Sequence, residues 1–432
     1  MLLRGPEAIP SKTGRLLRRE VRPPRNDGQE KPISMPISID NRTLSLIISD
    51  REKEVNWDSF STSDWDALAH KAHSEGVAPL VYWTLSRSGK FSSLPNETRN
   101  FLRLLYASTW MQNQTNFKEL EILAHRFHQA DIPVVVLKGV CFALTIYPDI
   151  GLRPMGDMDL LVPASRLAEA VEIAKPLGYA DTKPDASPGL RDLLNHEICL
   201  QKTGAQSLTL EIHHSLVADK TFSYAVPVDW FWEQTESLNT SSKTRFENLL
   251  MLTPTAQVLY AASHAMLQHG GKNAPLRWFY DMDCLIRHYN ERLDWDLLLS
   301  QAKTFEWGSA LDAALSQTSA YFDTPLPNHV RASLSESSDR HRQLVELKQI
   351  RPATHILAER QTLLSLNWYG RIRLVAALII PSPAYMRWRY QLKTSWLLPP
   401  YYLFRWWGIL KDAVRTVILS LRRSHQSDPK GL

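Results

Sequence analysis

Two carboxylates stand one residue apart in the otherwise apolar stretch GDMDLLV, at Asp157 and Asp159. Side chains of a β-strand alternate between its two faces, so both carboxylates would point the same way, with Cα atoms about 7 Å apart. Unpaired carboxylates on one half-buried face repel each other, whereas a hard cation such as Mg²⁺ removes the repulsion and prefers oxygen ligands. The spacing therefore indicates a metal site, and the alternative is a solvated strand edge.

A third carboxylate follows from the same alternation in the segment LTLEIHHSL. Its leucines and isoleucine share one face, and Glu211 and His213 share the other. A strand that carries Glu211 after a strand with Asp-x-Asp can complete a cluster of three carboxylates. In two-metal catalysis such a cluster activates an attacking hydroxyl and stabilises the leaving phosphate oxygens, and one carboxylate can take the hydroxyl proton.

The elements that must position these carboxylates form a small α/β unit. The run VVVL, Val134–Leu137, is β-branched and continuous, as in a strand covered on both faces. It leads through a turn at Gly139 into a short helix, and N–H groups exposed at such a turn suit phosphate. A helix is predicted over Pro163–Leu177, and HEICLQK and LTLEIHHSL are predicted to form a hairpin.

The length of 432 residues suggests two or three modules rather than one domain. Three cysteines without metal-ligand spacing favour a reducing cytoplasmic setting over a disulfide scaffold. The basic N-terminus lacks a hydrophobic region typical of a secretory signal, and Met35 is an alternative start to Met1. We predict a disordered basic tail over residues 1–50, a helical region over 51–130, an α/β core over 131–217, a helical domain over 218–346, and a Trp- and Arg-rich helical region over 347–432.

The quoted motifs carry a resemblance to a known superfamily. LKG, YPD, LRPMGDMDLLV and LEIHHSL resemble the nucleotidyltransferases that include DNA polymerase β, and more closely a bacterial branch of uncharacterised nucleotidyltransferases. PTAQVLYAASHAMLQHG, LRWFYDMDCLI and LDWDLLLSQA resemble the helical second half of that branch, so the resemblance covers Ile132 to Ala302. It implies an α+β fold, in which a small mixed β-sheet core is flanked by N-terminal helices and a helical C-terminal region.

The resemblance also implies an activity and its site. Asp157, Asp159 and Glu211 would be the catalytic metal ligands for Mg²⁺ (or Mn²⁺), and Gly139 would face the phosphates of an NTP substrate. The enzyme would transfer an NMP to an acceptor (a small molecule, a glycan precursor or a protein) and release pyrophosphate. Two alternatives are a catalytically silent nucleotide-binding accessory protein and a toxin-like tRNA nucleotidyltransferase.

One feature departs from the wider superfamily, because Gly139 lacks the serine that normally follows it. Lys138 and Arg153 are candidates to contact phosphate instead, and Lys138 has a structural ion pair as its alternative. His213, His264, Arg277 and Asp281 are further candidates for the substrate cleft. Their alternatives are orientation of a carboxylate by His213, helix packing by His264, and an ion pair between Arg277 and Asp281 along a helix.

The segment Met386–Arg423 mixes Trp and Tyr with Arg and Lys, as do helices that lie on a membrane surface. We expect it to contact the inner face of the membrane or a protein partner, with packing on the protein's own core as the alternative. Nucleic acid ranks last because no RNA-binding motif is present. No apolar run reaches the roughly 18 residues of a spanning helix, since Leu374–Ile380 stops at Pro381.

Overall fold

We describe the fold from a computed structural model. It describes residues 39–426, apart from 188–189, 191–194, 205–206, 217–226, 239–245, 247, 270, 272–273, 336–362, 364–365 and 367. Most of the predicted tail, residues 1–38, lies outside this part of the chain.

Four helices precede the sheet: α1 (Asn41–Ile48), α2 (Thr62–Ser74), α3 (Ala78–Arg87) and α4 (Asn96–Gln129). Helix α1 is capped by Asp40, whose side chain accepts from the Thr43 backbone N–H, and it buries Leu44 and Ile47 completely. Residues 41–48 of the predicted tail thus form a helix, and its apolar residues pack into the main core.

In the described part of the chain, one mixed sheet of seven strands lies at the centre, in the order β3-β4-β5-β2-β1-β7-β6. Its strands are β1 (Val134–Val136), β2 (Met158–Leu161), β3 (Tyr179–Asp181), β4 (Glu197–Lys202), β5 (Leu208–His213), β6 (Thr235–Ser237) and β7 (Leu249–Leu252). Strand β1 is antiparallel to β2 and parallel to β7, and β2 is parallel to β5. The α+β fold with a mixed sheet is thus confirmed.

The local predictions around the sheet hold where they rest on strong patterns. All three residues of β1 are buried, as the continuous apolar run predicted. Strands β4 and β5 form the predicted antiparallel hairpin. Strands β6 and β7 extend the sheet beyond residue 217, where the sequence analysis ended the α/β core. The run that forms β7, LLML, is too short for its periodicity to distinguish a strand from the start of a helix.

The remaining helices of the main body are α5 (Lys138–Thr145), α6 (Leu167–Ala174), α7 (Val228–Glu233), α8 (Pro254–Ser263), α9 (Leu276–Tyr289), α10 (Trp295–Thr304), α11 (Gly308–Phe322) and α12 (Asn328–Ser335). Helix α8 continues into a π-helical turn at His264–Gln268. One hydrophobic core joins the N-terminal helices, the sheet and the helices that follow it.

Three helices complete the described chain: α13 (Trp368–Ile379), α14 (Pro383–Tyr390) and α15 (Leu398–Gln426). Helix α13 contributes Leu374 and Ala377 to a small separate core with Leu190, and the backbone N–H of Ser382, just before α14, donates to the Ala186 carbonyl at 2.8 Å. Large aromatic side chains in this region are exposed, including Trp396, in the short turn before α15, at 74% and Trp407 at 67%. Among the described helices, none combines the length and the apolar composition needed to cross a membrane.

Candidate active site

A cavity of about 440 Å³ opens between α5, α8, α9 and the face of the sheet that carries Asp159 and Glu211. Nine of the ten residues predicted for the site line this cavity: Lys138, Gly139, Arg153, Asp157, Asp159, Glu211, His264, Arg277 and Asp281. Residues that the sequence reasoning did not single out also line it, including Glu197, Tyr260, His269 and Trp278.

The register of two parallel strands brings the acidic residues together. Asp159 on β2 is the direct partner of Glu211 on β5, so both carboxylates project from neighbouring positions on one face. Asp157 directly precedes β2 and lines the same cavity. Glu197 on β4 adds a fourth carboxylate, because it pairs with His213, two residues beyond Glu211. A fourth acidic position could have been found from the alternation in HEICLQK, in which Glu197 and Cys199 share a face.

His213 does not line the cavity. It is completely buried, and its Nε2 lies 2.9 Å from Asp159 Oδ1 and 3.4 Å from Glu197 Oε2. Burial lowers the pKa of His213, so the neutral imidazole donates its Nε2–H to Asp159. The expectation of a residue in the substrate cleft is therefore replaced by its alternative, a histidine that orients a carboxylate.

Lys138 forms the ion pair that was its alternative role. Its Nζ lies 2.9 Å from Asp159 Oδ1, and the two side chains are 15% and 4% exposed. Burial opposes the charge of this ammonium, but the neighbouring Tyr260, Asp159 and Glu211 raise the pKa of Lys138 above its ordinary value. Its backbone has a φ of +44°, a left-handed conformation that is uncommon and costly for lysine.

The carboxylates have opposite pKa shifts. Burial alone would raise the pKa of Asp159, but Lys138 and His213 lower it far below the usual range. Glu211 lies farther from both groups, with His213 Nε2 3.8 Å from its Oε2. Burial, then Glu197, Asp159 and Asp157, raise the pKa of Glu211 to about 9, and the opposing charge of Lys138 is too weak to prevent this. Burial and Asp159 likewise raise the pKa of Asp157. A divalent cation would relieve this crowding of oxygen donors, and the donor set suits Mg²⁺ or Mn²⁺.

The described residues contain ligand atoms close enough to share one ion. Single ligand atoms of Asp159, Glu211 and His213 lie within 4.8 Å of one another, and so do those of His196, Glu197 and His213. His213 already donates to Asp159, so the carboxylate oxygens are the atoms that could hold a metal ion. Asp157 stands outside these two groups but borders the same cavity.

Arg153 is held in a buried ion pair rather than free for phosphate. Its Nη2 lies 2.8 Å from Asp281 Oδ2, with side chains only 7% and 3% exposed. Asp281 also accepts a hydrogen bond from Tyr147 at 2.7 Å. The position of this guanidinium explains why residue 139 is a glycine, because a Cβ there would lie 2.3 Å from Arg153 Nη1. Gly139 is therefore required at least by the close approach of Arg153.

An aromatic wall faces the cavity from α8 and α9. The π-helical turn brings His264 and His269 together, with their Nε2 atoms 3.2 Å apart, and both rings lie within 5 Å of the Trp278 ring between centroids. Burial and the charge of Lys138 lower the pKa of both histidines. The hydroxyl of Tyr260 is buried without a hydrogen-bond partner in the described structure. Single π-helical turns occur frequently at functional sites.

A protein-family model described as an uncharacterised nucleotidyltransferase matches residues 61–323. The chain belongs to this family. The match begins in the N-terminal helices and ends after α11, so it is wider than the resemblance seen in the motifs. Membership of this family suggests nucleotidyl transfer as the general class of reaction.

The comparisons with individual proteins add little. An antigenic nucleotidyltransferase-like protein from Paracoccidioides brasiliensis is similar in structure, with 14% sequence identity and a TM-score of 0.29. The matched part covers 46% of this chain and 92% of that protein. No curated protein sequence gives a significant match.

Proposed function

We propose that this protein transfers an NMP from an NTP to an acceptor hydroxyl in a divalent-metal-dependent reaction. The observation that carries the proposal is the register that makes Asp159 and Glu211 direct neighbours, beside Asp157, in a cavity with buried cations. Membership of a nucleotidyltransferase family supports the same reaction class. The cavity of about 440 Å³ is within the size range of small-molecule sites.

Each residue has a role in this proposal. Asp157, Asp159 and Glu211 would hold Mg²⁺ or Mn²⁺, and Lys138 and His213 would keep Asp159 ionised and correctly oriented. When bound, the cation neutralises charge on the phosphate oxygens. The acceptor oxygen forms a bond to the α-phosphorus, the bond to pyrophosphate breaks, and a carboxylate accepts the hydroxyl proton.

The decisive experiment uses NTPs labelled at the α-phosphate and a panel of hydroxyl-bearing acceptors. We expect label transfer that requires Mg²⁺ or Mn²⁺ and is lost in Asp159→Asn and Glu211→Gln. Glu172→Gln is the matched control, because Glu172 lies on α6 with a side chain 68% exposed. Equal transfer by the Asp159 variant and the wild type would exclude the proposed site.

A catalytically silent nucleotide-binding protein is the second candidate, and the missing serine after Gly139 favours it. Calorimetry separates the two, since a silent protein binds NTP without releasing pyrophosphate with any acceptor. The tRNA nucleotidyltransferase alternative has no specific observation in its favour.

We also propose that the C-terminal helices contact an anionic membrane surface. Residues 368–426 carry ten Lys and Arg against one Asp. Trp368, Trp396 and Trp407 among them are 73%, 74% and 67% exposed. Exposed indole rings favour the headgroup region, and the cations favour anionic lipid. A protein partner is the competing explanation.

A further inference from the structure

Among the described residues, one lysine and two arginines border the cavity, and two of these three cations are paired with a carboxylate. Lys138 pairs with Asp159 at 2.9 Å, and Arg153 pairs with Asp281 at 2.8 Å. Both pairs are largely buried, so neither cation can turn to a ligand without leaving a carboxylate uncompensated. The third cation, Arg277, is different.

Arg277 is positioned by two separate parts of the chain. It lies in the first turn of α9, and its Nη1 donates to the Pro154 carbonyl at 2.9 Å. The side chain also packs against Gly76, which has a φ of +71° and where a Cβ would lie 3.0 Å from Nη1. The guanidinium is therefore held at the cavity wall by the α2–α3 turn and the loop before β2.

This guanidinium has unused hydrogen-bonding capacity. Its Nε is buried and has no hydrogen-bond partner in the described structure. Asp159 and Asp281, two carboxylates of the cavity, are paired with Lys138 and Arg153 instead of Arg277. Burial and the charge of Arg153 lower the pKa of Arg277 to about 10, which still leaves it protonated at neutral pH. A buried donor without a partner is costly, and here it belongs to a charged side chain that lines the cavity, where a bound anion could accept its hydrogen bond.

We propose that Arg277 is the phosphate-binding residue of this site and replaces the serine that is missing after Gly139. A planar guanidinium matches phosphate oxygens through two parallel N–H donors, a geometry that an ammonium cannot provide. Arg277 and Asp157 line the same cavity, and the charge of Arg277 acts to lower the pKa of Asp157. This inference rests on the proposed function in one respect, which is that the phosphate bound by Arg277 belongs to an NTP substrate.

The test measures binding rather than transfer. Inorganic tripolyphosphate is titrated by calorimetry into the full chain in Mg²⁺ buffer, and ATP is titrated in parallel. We expect Arg277→Met to weaken tripolyphosphate binding at least tenfold, and Arg277→Lys to recover part of the affinity. Arg292→Met is the matched control, because its side chain is 52% exposed and pairs with Glu236 outside the cavity. Unchanged tripolyphosphate affinity in Arg277→Met would overturn the inference.

A second readout separates ligand binding from a structural role. If Arg277 awaits an anion, Arg277→Met should leave the thermal stability of the ligand-free protein unchanged or higher. The same variant should lose most of the rise in Tm that tripolyphosphate produces in the wild type. A large loss of ligand-free stability, as expected for Arg153→Met, would instead assign Arg277 to the fold. Tripolyphosphate binding that depends on Arg277, with no transfer to any acceptor, would reject the proposed reaction and leave this inference standing.

Discussion

Glu211→Gln should stabilise the metal-free protein while removing its response to metal. Gln keeps the shape of the side chain and removes the charge that Glu197, Asp159 and Asp157 oppose. Because the folded pKa of Glu211 is raised from 4.5 to about 9, its contribution to the free energy of unfolding is complete below pH 4.5. That contribution is then lost progressively as the pH rises towards 9.

The size of this effect follows from the same shift. At about pH 7.5 the difference spans roughly three pKa units, or about 4 kcal/mol at 1.36 kcal/mol per unit. The side chain is 20% exposed and its acidic neighbours titrate with it, so we expect less than half of this value. The predicted gain is about 1–2 kcal/mol, which corresponds to a rise in Tm of about 2–4 °C.

Thermal melts in EDTA at pH 5.0 and 7.5 measure the prediction, with Glu172→Gln as the exposed control. The gain of Glu211→Gln should be present at pH 7.5 and should nearly disappear at pH 5.0. Added Mn²⁺ should raise the Tm of the wild type and leave that of Glu211→Gln almost unchanged. A variant that is less stable than the wild type in EDTA at pH 7.5 would refute the crowding of carboxylates.

Three further predictions concern residues beside the carboxylates and the C-terminal surface. Arg153→Met should lower the free energy of unfolding, measured in urea, by about 3–5 kcal/mol, because it leaves Asp281 buried without its partner. Adding Asp281→Asn should restore much of this loss. If Arg153→Met were as stable as the wild type, Arg153 would again be a candidate for phosphate binding. Gly139→Ala should lower the free energy of unfolding by about 1–3 kcal/mol, because the added Cβ displaces Arg153. Gly408→Ala, where a Cβ meets nothing within 4 Å, should leave the free energy of unfolding almost unchanged. Equal melting temperatures of the two variants would contradict the close approach of Arg153 to Gly139. The protein should co-sediment with vesicles of phosphatidylcholine and phosphatidylserine but not with vesicles of phosphatidylcholine alone. The double variant Trp396→Ser, Trp407→Ser should bind these vesicles more weakly, whereas Trp110→Ser on α4, where the side chain is 41% exposed, should bind them as the wild type does. Equal binding by all variants would favour a protein partner.

The local patterns of the sequence were sufficient for the elements that carry the chemistry. Alternation on a strand is a short-range property, so it predicted that Glu211 and His213 share one face of β5. The same reasoning predicted the buried strand β1 and the β4–β5 hairpin. It was less successful at the boundaries, where α1 and β7 depend on packing against distant parts of the chain.

The partners of the polar residues were decided only by the tertiary structure. Arg153 and Asp281 are 128 residues apart, and no periodicity relates them. The spacing of four residues along one helix predicted an ion pair between Arg277 and Asp281. In the folded chain Asp281 pairs with Arg153 instead. An ion pair of this kind depends on which elements meet in the core, a long-range outcome that local sequence spacing does not encode.

The sequence by itself determined which residues bear charge and which faces of their strands they occupy. The tertiary structure decided which charges are paired. The strand register sets Asp159 beside Glu211, and the fold brings Lys138 and Arg153 into ion pairs with Asp159 and Asp281. Arg277 is thereby left at the cavity wall with an unpartnered donor. Charge on a side chain is a property of one residue, whereas its neutralisation depends on distance and burial, and these exist only in the folded chain.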